Sequence, residues 1–118
     1  MYGLPSGTNL DFINGATLLQ ACFGPHDLIL NFHETVTISI WSSVAVGPVG
    51  TDLHRTTRFD EISQAILSLL DRTVLNVGWT PNGTLSLTFE GGDLLEIYDD
   101  SANFESYSIS SPAGLIVV

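Results

Sequence analysis

The sequence has no lysine and only three arginines, and this shortage of positive charge is its most unusual feature. Thirteen aspartates and glutamates oppose the three arginines, so the formal net charge is −10 at pH 7. A surface of this sign repels nucleic-acid phosphates and anionic membranes, and it attracts basic proteins. We therefore expect neither a nucleic acid nor a membrane as partner. Two interpretations of the negative charge remain: it attracts a basic protein partner, or it only keeps the protein soluble.

Cysteine and long apolar runs are also scarce. Cys22 is the single cysteine, which excludes an internal disulfide and a thiolate metal site within one chain. We predict that it acts as a small buried hydrophobic residue. No stretch approaches the ~18 apolar residues that span a bilayer. Residues 1–7 lack the basic and apolar regions of a secretory leader, so a cytoplasmic location is the expectation.

The length and the hydrophobic content of the chain suffice for one folded domain. The chain has 118 residues, of which 44% are hydrophobic, enough for one core and too few for two domains. When the chain is shifted by 57 residues, residues 12–32 align with residues 69–89 without a gap. Matched pairs at this shift include Leu28 with Leu85, Leu30 with Leu87, Phe32 with Phe89, and Trp41 with Tyr98. We interpret the pattern as a duplicated β unit.

Alternation of apolar and polar residues predicts a three-stranded antiparallel meander in each copy. In the second copy, Leu85, Leu87 and Phe89 alternate with polar residues after the turn signal at residues 82–83, which are Asn-Gly. The predicted meanders cover about 12–42 and 69–98, and together they form one curved sheet. A fourth strand is predicted near 103–110, and a short final strand at 115–118.

A helix is predicted between the two copies, over about 58–70. Phe59, Ile62 and Ile66 recur at helical spacing, and Asp60 in the first turn complements the helix dipole. Thr57, just before it, is a suitable N-cap. The predicted fold is therefore α+β and mostly β, a single domain over 1–118 with this helix packed on the sheet.

Three segments resemble an uncharacterised bacterial domain family. Residues 82–94 resemble its G-x-L-x-L-x-F pattern, residues 104–107 are similar to its Y-E-x-W element, and residues 112–115 are similar to its P-G-G-x-L ending. Here Phe104 stands for Tyr, Tyr107 for Trp and Ala113 for Gly. The resemblance supports the fold and implies no assigned activity. In size, charge and β content the chain is also similar to small acidic bacterial immunity proteins.

The acidic side chains concentrate in the second half of the chain. Residues 59–118 carry nine acids and one arginine, whereas residues 1–58 carry four acids and two arginines. An aromatic side chain among acids is a plausible hot spot for a basic protein. The predicted partner-binding residues are Glu90, Asp93, Glu96, Tyr98, Asp99 and Asp100. Residues 99–110 space oxygen side chains faintly like a calcium loop, but they lack its glycine and its final glutamate, so we predict no metal site.

Glu105 is predicted to be a buried structural carboxylate, because alternation places it on the same face as Tyr107. A carboxylate in that position needs a hydrogen bond or a cation. The alternative is a functional role as a general acid or a ligand contact, with His26, His33 or His54 in the same cleft.

No nucleophile elbow, phosphate-binding loop or dinucleotide fingerprint occurs, so we predict neither enzyme activity nor a cofactor. The leading hypothesis is a non-catalytic protein-binding domain, most concretely an immunity-type inhibitor of a basic bacterial toxin. Two alternatives stay open. One is a self-associating module that forms a homodimer through an edge strand. The other is a small-ligand-binding or enzymatic domain that uses Glu105 and a histidine.

Overall fold

The computed structural model describes residues 3–101 and 105–118, apart from the side chain of Glu34. Antiparallel strands and one short helix make up its regular structure, which confirms the mostly β prediction. The elements within this part of the chain are β1 (Leu18–Phe23), β2 (Leu28–Phe32), β3 (Val36–Ile40), β4 (Val44–Pro48), α1 (Ser63–Leu67), β5 (Val74–Trp79), β6 (Leu85–Phe89), β7 (Asp93–Ile97), β8 (Tyr107–Ser111) and β9 (Gly114–Val117).

The strands form two sheets, so the prediction of one curved sheet containing both meanders is wrong. Sheet 1 has the order β1-β2-β3-β8-β9, and sheet 2 has the order β4-β7-β6-β5. Strand β4 follows β3 along the chain but pairs with β7, and β8 follows β7 but pairs with β3. The two halves of the chain thus exchange their fourth strands, so that each half completes the sheet built by the other.

The two meanders share one hydrogen-bonding plan where they begin. Thr17 and Thr73 face each other in an antiparallel bridge, with their hydroxyl oxygens 3.0 Å apart. The Thr17 carbonyl accepts from the amide of His33 at 2.8 Å, and the Thr73 carbonyl accepts from the amide of Glu90 at 2.8 Å. Strands β1 and β5 each carry an irregularity just beyond this bridge. The duplication of the sequence itself stays a prediction.

The core lies between the sheets, where the alternating apolar residues of both meet. Phe32 on β2 and Phe89 on β6 are buried, and their rings stack with centroids 6.4 Å apart. Tyr107, at the start of β8, is fully buried and donates its hydroxyl to the Gly83 carbonyl at 2.6 Å. The inward positions predicted from alternation are buried: Leu28, Leu30, Phe32, Val36, Ile38, Ile40, Leu85, Leu87, Phe89, Leu95 and Ile97.

The helical segment is shorter than predicted. A 3-10 turn covers Phe59–Ile62, and α1 follows at Ser63–Leu67, whereas the prediction was one helix over about 58–70. The backbone of Ile62 departs from helical geometry, with φ −110° and ψ 11°, and this interrupts the helix. Neither the 3-10 turn nor α1 has a side-chain N-cap hydrogen bond, so the predicted role of Thr57 is wrong. Phe59, Ile66 and Leu69 are nevertheless buried in the core.

Candidate functional site

The exchange of strands brings two connections together at one end of the molecule. Residues 41–43 lead from β3 into β4, and residues 98–106 lead from β7 into β8. The Trp41 amide donates to the Ser106 carbonyl at 2.9 Å, and the Tyr98 amide donates to the Ser43 carbonyl at 3.1 Å. The β1–β2 turn lies at the same end, because Leu28 pairs with Ile40. We call residues 24–27, 41–43, 98–101 and 105–106 the cleft end.

Two of the predicted partner-binding acids tie the cleft end together. Asp99 accepts from the Ser106 hydroxyl at 2.6 Å and from the Gly3 amide at 2.6 Å. Asp100 accepts from the Ser43 amide at 3.1 Å and also from the Ser43 hydroxyl. These carboxylates therefore act inside the molecule, joining the two crossing connections to each other and to the amino-terminal segment.

Tyr98 also has internal partners. The Arg55 guanidinium lies over its ring, 3.5 Å from the centroid, and Arg55 forms an ion pair with Asp100 at 3.5 Å. The Tyr98 hydroxyl donates to Glu96 at 3.1 Å, and Glu96 also accepts from the Ser86 hydroxyl at 3.0 Å. Burial raises the pKa of Tyr98, and the nearby Glu96 charge adds to this increase. One face of this aromatic ring is thus already covered by a cation.

The remaining acids of the predicted set lie at the opposite end. Asp93 forms an ion pair with Arg72 at 2.6 Å, beside the β6–β7 turn. Glu90 is exposed in that same turn, and its carboxylate makes no ion pair within the described residues. Roughly 16 Å of extended strand separates Asp93 from Tyr98 at ~3.3 Å per residue. The six predicted residues therefore do not form one contiguous patch.

The cleft end contains an open cleft of about 360 Å³, lined by His26, Trp41, Ser101 and Glu105. The Trp41 side chain is 45% exposed. Glu105 is exposed as well, so the prediction of a buried structural carboxylate is wrong. The reason is that β8 begins only at Tyr107, and the alternation that turns Tyr107 inward does not extend back to Glu105. Residues 103–104 of the predicted strand lie outside the described residues.

Only one of the three candidate histidines lines this cleft. His26 contributes from the β1–β2 turn. His33 lies in the β2–β3 turn at the opposite end, and His54 lies in the loop between β4 and the helical segment. Glu105 and His26 lie at the same end of sheet 1 because β2 pairs with β3 and β3 pairs with β8. This is the arrangement that the small-ligand alternative predicts for one of the three histidines.

All three arginines already face carboxylates. Arg55 pairs with Asp100 at 3.5 Å, and Arg72 pairs with Asp93 at 2.6 Å. Arg58 pairs with Asp60 at 3.2 Å and with Glu61 at 3.8 Å, both on the surface. Glu105 has no such partner among the described residues, so the cleft presents a carboxylate without a cation of its own.

A larger cavity, of about 540 Å³, lies beside the amino-terminal segment and is lined by Leu4, Pro5, Ser6, Gly7, Thr8, Trp79 and Pro81. None of these side chains is titratable. Its described lining offers neither an acid, a base nor a charge for recognition, and we place the candidate site in the smaller cleft for that reason.

Within residues 3–101 and 105–118, no group of three or more histidine, cysteine, aspartate or glutamate side chains is arranged to hold a metal ion. In the same part of the chain, no helix has both the length and the apolar character needed to cross a bilayer. Cys22, predicted to be buried, is a free thiol of intermediate exposure on β1.

Comparison with known proteins gives one match. Residues 11–118 match the profile of a family of unknown function, DUF6188. This confirms the predicted resemblance to a domain family that has no assigned activity. Neither a curated protein nor a solved structure matches the chain.

Proposed function

The chain belongs to the DUF6188 family of unknown function, and from that premise we propose that it is a non-catalytic domain that binds a basic protein partner at the cleft end. The observation that carries the proposal is the cleft itself, which places the exposed Trp41 indole beside the carboxylate of Glu105, a group with no ion pair in the described part of the chain. Exposed aromatic side chains dominate the energetics of many protein interfaces.

The charge of the molecule supports a basic partner over an acidic or neutral one. The net charge is −10, and each arginine is already engaged by at least one carboxylate. A partner of opposite sign is therefore steered toward this surface during its diffusional approach. Under this proposal four of the predicted partner-binding residues do not contact the partner. Glu90 and Asp93 lie at the opposite end of the molecule, and Asp99 and Asp100 serve mainly to hold the cleft end in shape.

The specific form of the proposal is an immunity-type inhibitor of a basic bacterial toxin domain, acting in the cytoplasm. A toxin that acts on nucleic acid needs a cationic surface for its substrate, and an acidic protein seated there would occlude it. This form agrees with the charge and the size of the chain.

The test begins with affinity capture from the source organism, after which the captured protein is purified and titrated against the chain. We expect a basic partner whose association rate falls when the salt concentration is raised roughly tenfold. Glu105→Gln and Glu90→Gln make the same charge change at opposite ends, and only Glu105→Gln should slow association strongly. Recovery of no basic partner, or an association that salt leaves unchanged, would overturn the proposal.

A second candidate function is the binding or conversion of a small ligand by Glu105 and His26. Its supporting observation is that both side chains line the cleft. No hydrogen bond joins them within the described residues, so each would act on the ligand separately, from within hydrogen-bond reach of it. This candidate predicts a small molecule that raises the melting temperature of the wild type and leaves that of His26→Ala unchanged, as measured by scanning fluorimetry.

A third candidate is self-association through β9, the outer strand of sheet 1. Leu115 is 66% exposed and Val117 is 37% exposed on this strand. Its outer edge pairs with no strand in the described structure, and such edges can pair with a second chain. This candidate predicts a dimer that is insensitive to salt and is abolished by Leu115→Lys, as measured by analytical ultracentrifugation. A monomer at every concentration would exclude it.

A further inference from the structure

We propose that the cleft of Trp41 and Glu105 receives the guanidinium group of an arginine side chain from the protein partner. This inference rests on the proposed function and names the group that enters the cleft. It depends on three features: an aromatic face, an unpaired carboxylate, and a corresponding site in the same molecule that already holds an arginine.

The first two features match the chemistry of arginine. Trp41 is 45% exposed, and Trp is the aromatic side chain that attracts a cation most strongly. Glu105 is exposed and has no ion pair within the described residues. A guanidinium can stack flat on an indole and present two parallel N–H groups to a carboxylate. A lysine ammonium is not planar and has no such pair of N–H groups, so it fits both contacts less well.

The third feature is the arrangement around Tyr98. Trp41 and Tyr98 correspond at the 57-residue shift, and each donates its amide to the connection that crosses from the other half. At Tyr98 the chain supplies its own cation, because Arg55 lies 3.5 Å from the ring centroid and pairs with Asp100. At Trp41 the aromatic ring and a carboxylate are present, but Arg55, Arg58 and Arg72 are all engaged elsewhere. An arginine from another protein would fill the corresponding position.

The size and charge of the cleft agree with this occupant. Its volume of about 360 Å³ exceeds that of a guanidinium group and leaves space for the side chain that carries it. Glu105 disfavours an anion, and none of the three arginines lines the cleft to attract one. Together, the indole face of Trp41 and the carboxylate of Glu105 favour a cation with a planar face.

The test uses the full chain and a short peptide, acetyl-Gly-Arg-Gly-amide, in a ¹H–¹⁵N NMR titration. The chain has two tryptophans, whose indole N–H signals report on two separate sites. We expect the Trp41 signal to shift with a dissociation constant on the order of 1 mM, while the Trp79 signal stays in place. The same peptide with citrulline, which keeps the shape of arginine but lacks its charge, should give no shift.

Matched variants separate the cleft from general charge attraction. Glu105→Gln should weaken arginine binding roughly fivefold, and Glu90→Gln, the same charge change at the opposite end, should leave it unchanged. An unmoved Trp41 signal, an equal response to citrulline, or equal weakening by both variants would overturn the inference.

The outcomes also separate this inference from the proposed function. If a basic partner binds in a salt-dependent way but the arginine peptide does not reach Trp41, the inference fails and the proposed function stands. If the peptide binds the cleft and no basic partner exists, the proposed function fails while the chemistry of the cleft stands.

Discussion

The rings of Phe32 and Phe89 stack across the core with their centroids 6.4 Å apart and their planes inclined by 20°. Phe32 belongs to sheet 1 and Phe89 to sheet 2, and the two residues correspond at the 57-residue shift. This contact therefore joins the two sheets at equivalent positions of the two meanders.

Truncating either ring should destabilise the protein. We expect Phe32→Ala or Phe89→Ala to lower the free energy of unfolding by about 3–5 kcal/mol, because each leaves a cavity between the sheets. The double variant should cost less than the sum of the two, since the stacking contact is lost only once. Urea denaturation measures all three. Phe12→Ala is the control, because Phe12 is 41% exposed and its loss should cost far less.

The hydroxyl of Tyr107 supports a second prediction. It is buried and donates to the Gly83 carbonyl at 2.6 Å, so Tyr107→Phe leaves that carbonyl without its side-chain donor. We expect a loss of about 1–3 kcal/mol in the free energy of unfolding. The comparison is Tyr98→Phe. The Tyr98 hydroxyl donates to Glu96 in less buried surroundings, so its removal should lower the free energy of unfolding by a smaller amount. Equal costs for the two variants would contradict the prediction.

Gly83 itself supports a third prediction, because its φ of +97° and its surroundings both disfavour a side chain. An added Cβ would lie 2.6 Å from the Cβ of Asp99. Gly83→Ala should therefore cost more than the roughly 1–2 kcal/mol expected from the backbone conformation alone. Gly50→Ala provides the matched control, since Gly50 has φ +85° and nothing within 4 Å of the added atom. Thermal denaturation of both variants measures the difference, and similar losses would show that the contact with Asp99 has little effect.

A fourth prediction concerns alkaline pH. Burial raises the pKa of both Tyr98 and Tyr107 above the ordinary value of 10.0, and the charges of Glu96 and Asp99 respectively add to this. The folded state then holds more protons than the unfolded state above pH 10, so stability falls as the pH rises through this range. Unfolding free energies measured at a series of alkaline pH values, together with the absorbance of tyrosinate, should show this decline. Tyr107→Phe should make the decline shallower, and an unchanged slope would contradict the assignment.

Local patterns predicted every strand except β4, but they did not predict the way in which the strands pair. Alternation identified Leu28, Leu85 and Phe89 as inward residues, since burial of one face follows from a period of two. The exchange of β4 and β8 could not be predicted, because it depends on pairings such as Ile40 with Tyr107, which lie far apart along the chain. The helix was overextended because helical spacing alone does not reveal the interruption at Ile62.

The candidate site was predicted only in part for the same reason. Asp93 and Tyr98 are close in sequence, but the length of β7 places them at opposite ends of the molecule. Arg55 and Arg72 lie far along the chain from the carboxylates of Asp100 and Asp93 that they neutralise. Residues 90–105 alone therefore do not reveal these ion pairs. The one available signal for the cleft was the match of Trp41 with Tyr98, which placed two aromatic residues at equivalent crossing points.

The exchange of fourth strands also imposes an order on biosynthesis. Because a nascent chain emerges from the ribosome with its amino end first, all four strands of sheet 2 are available once residue 97 has appeared. Sheet 1 at that moment has only β1, β2 and β3, and the edge of β3 waits for β8. Until β8 has joined it, that edge is open to pairing with a neighbouring polypeptide, so a chain cut short before residue 107 would keep an open edge on sheet 1 and would be more prone to aggregate.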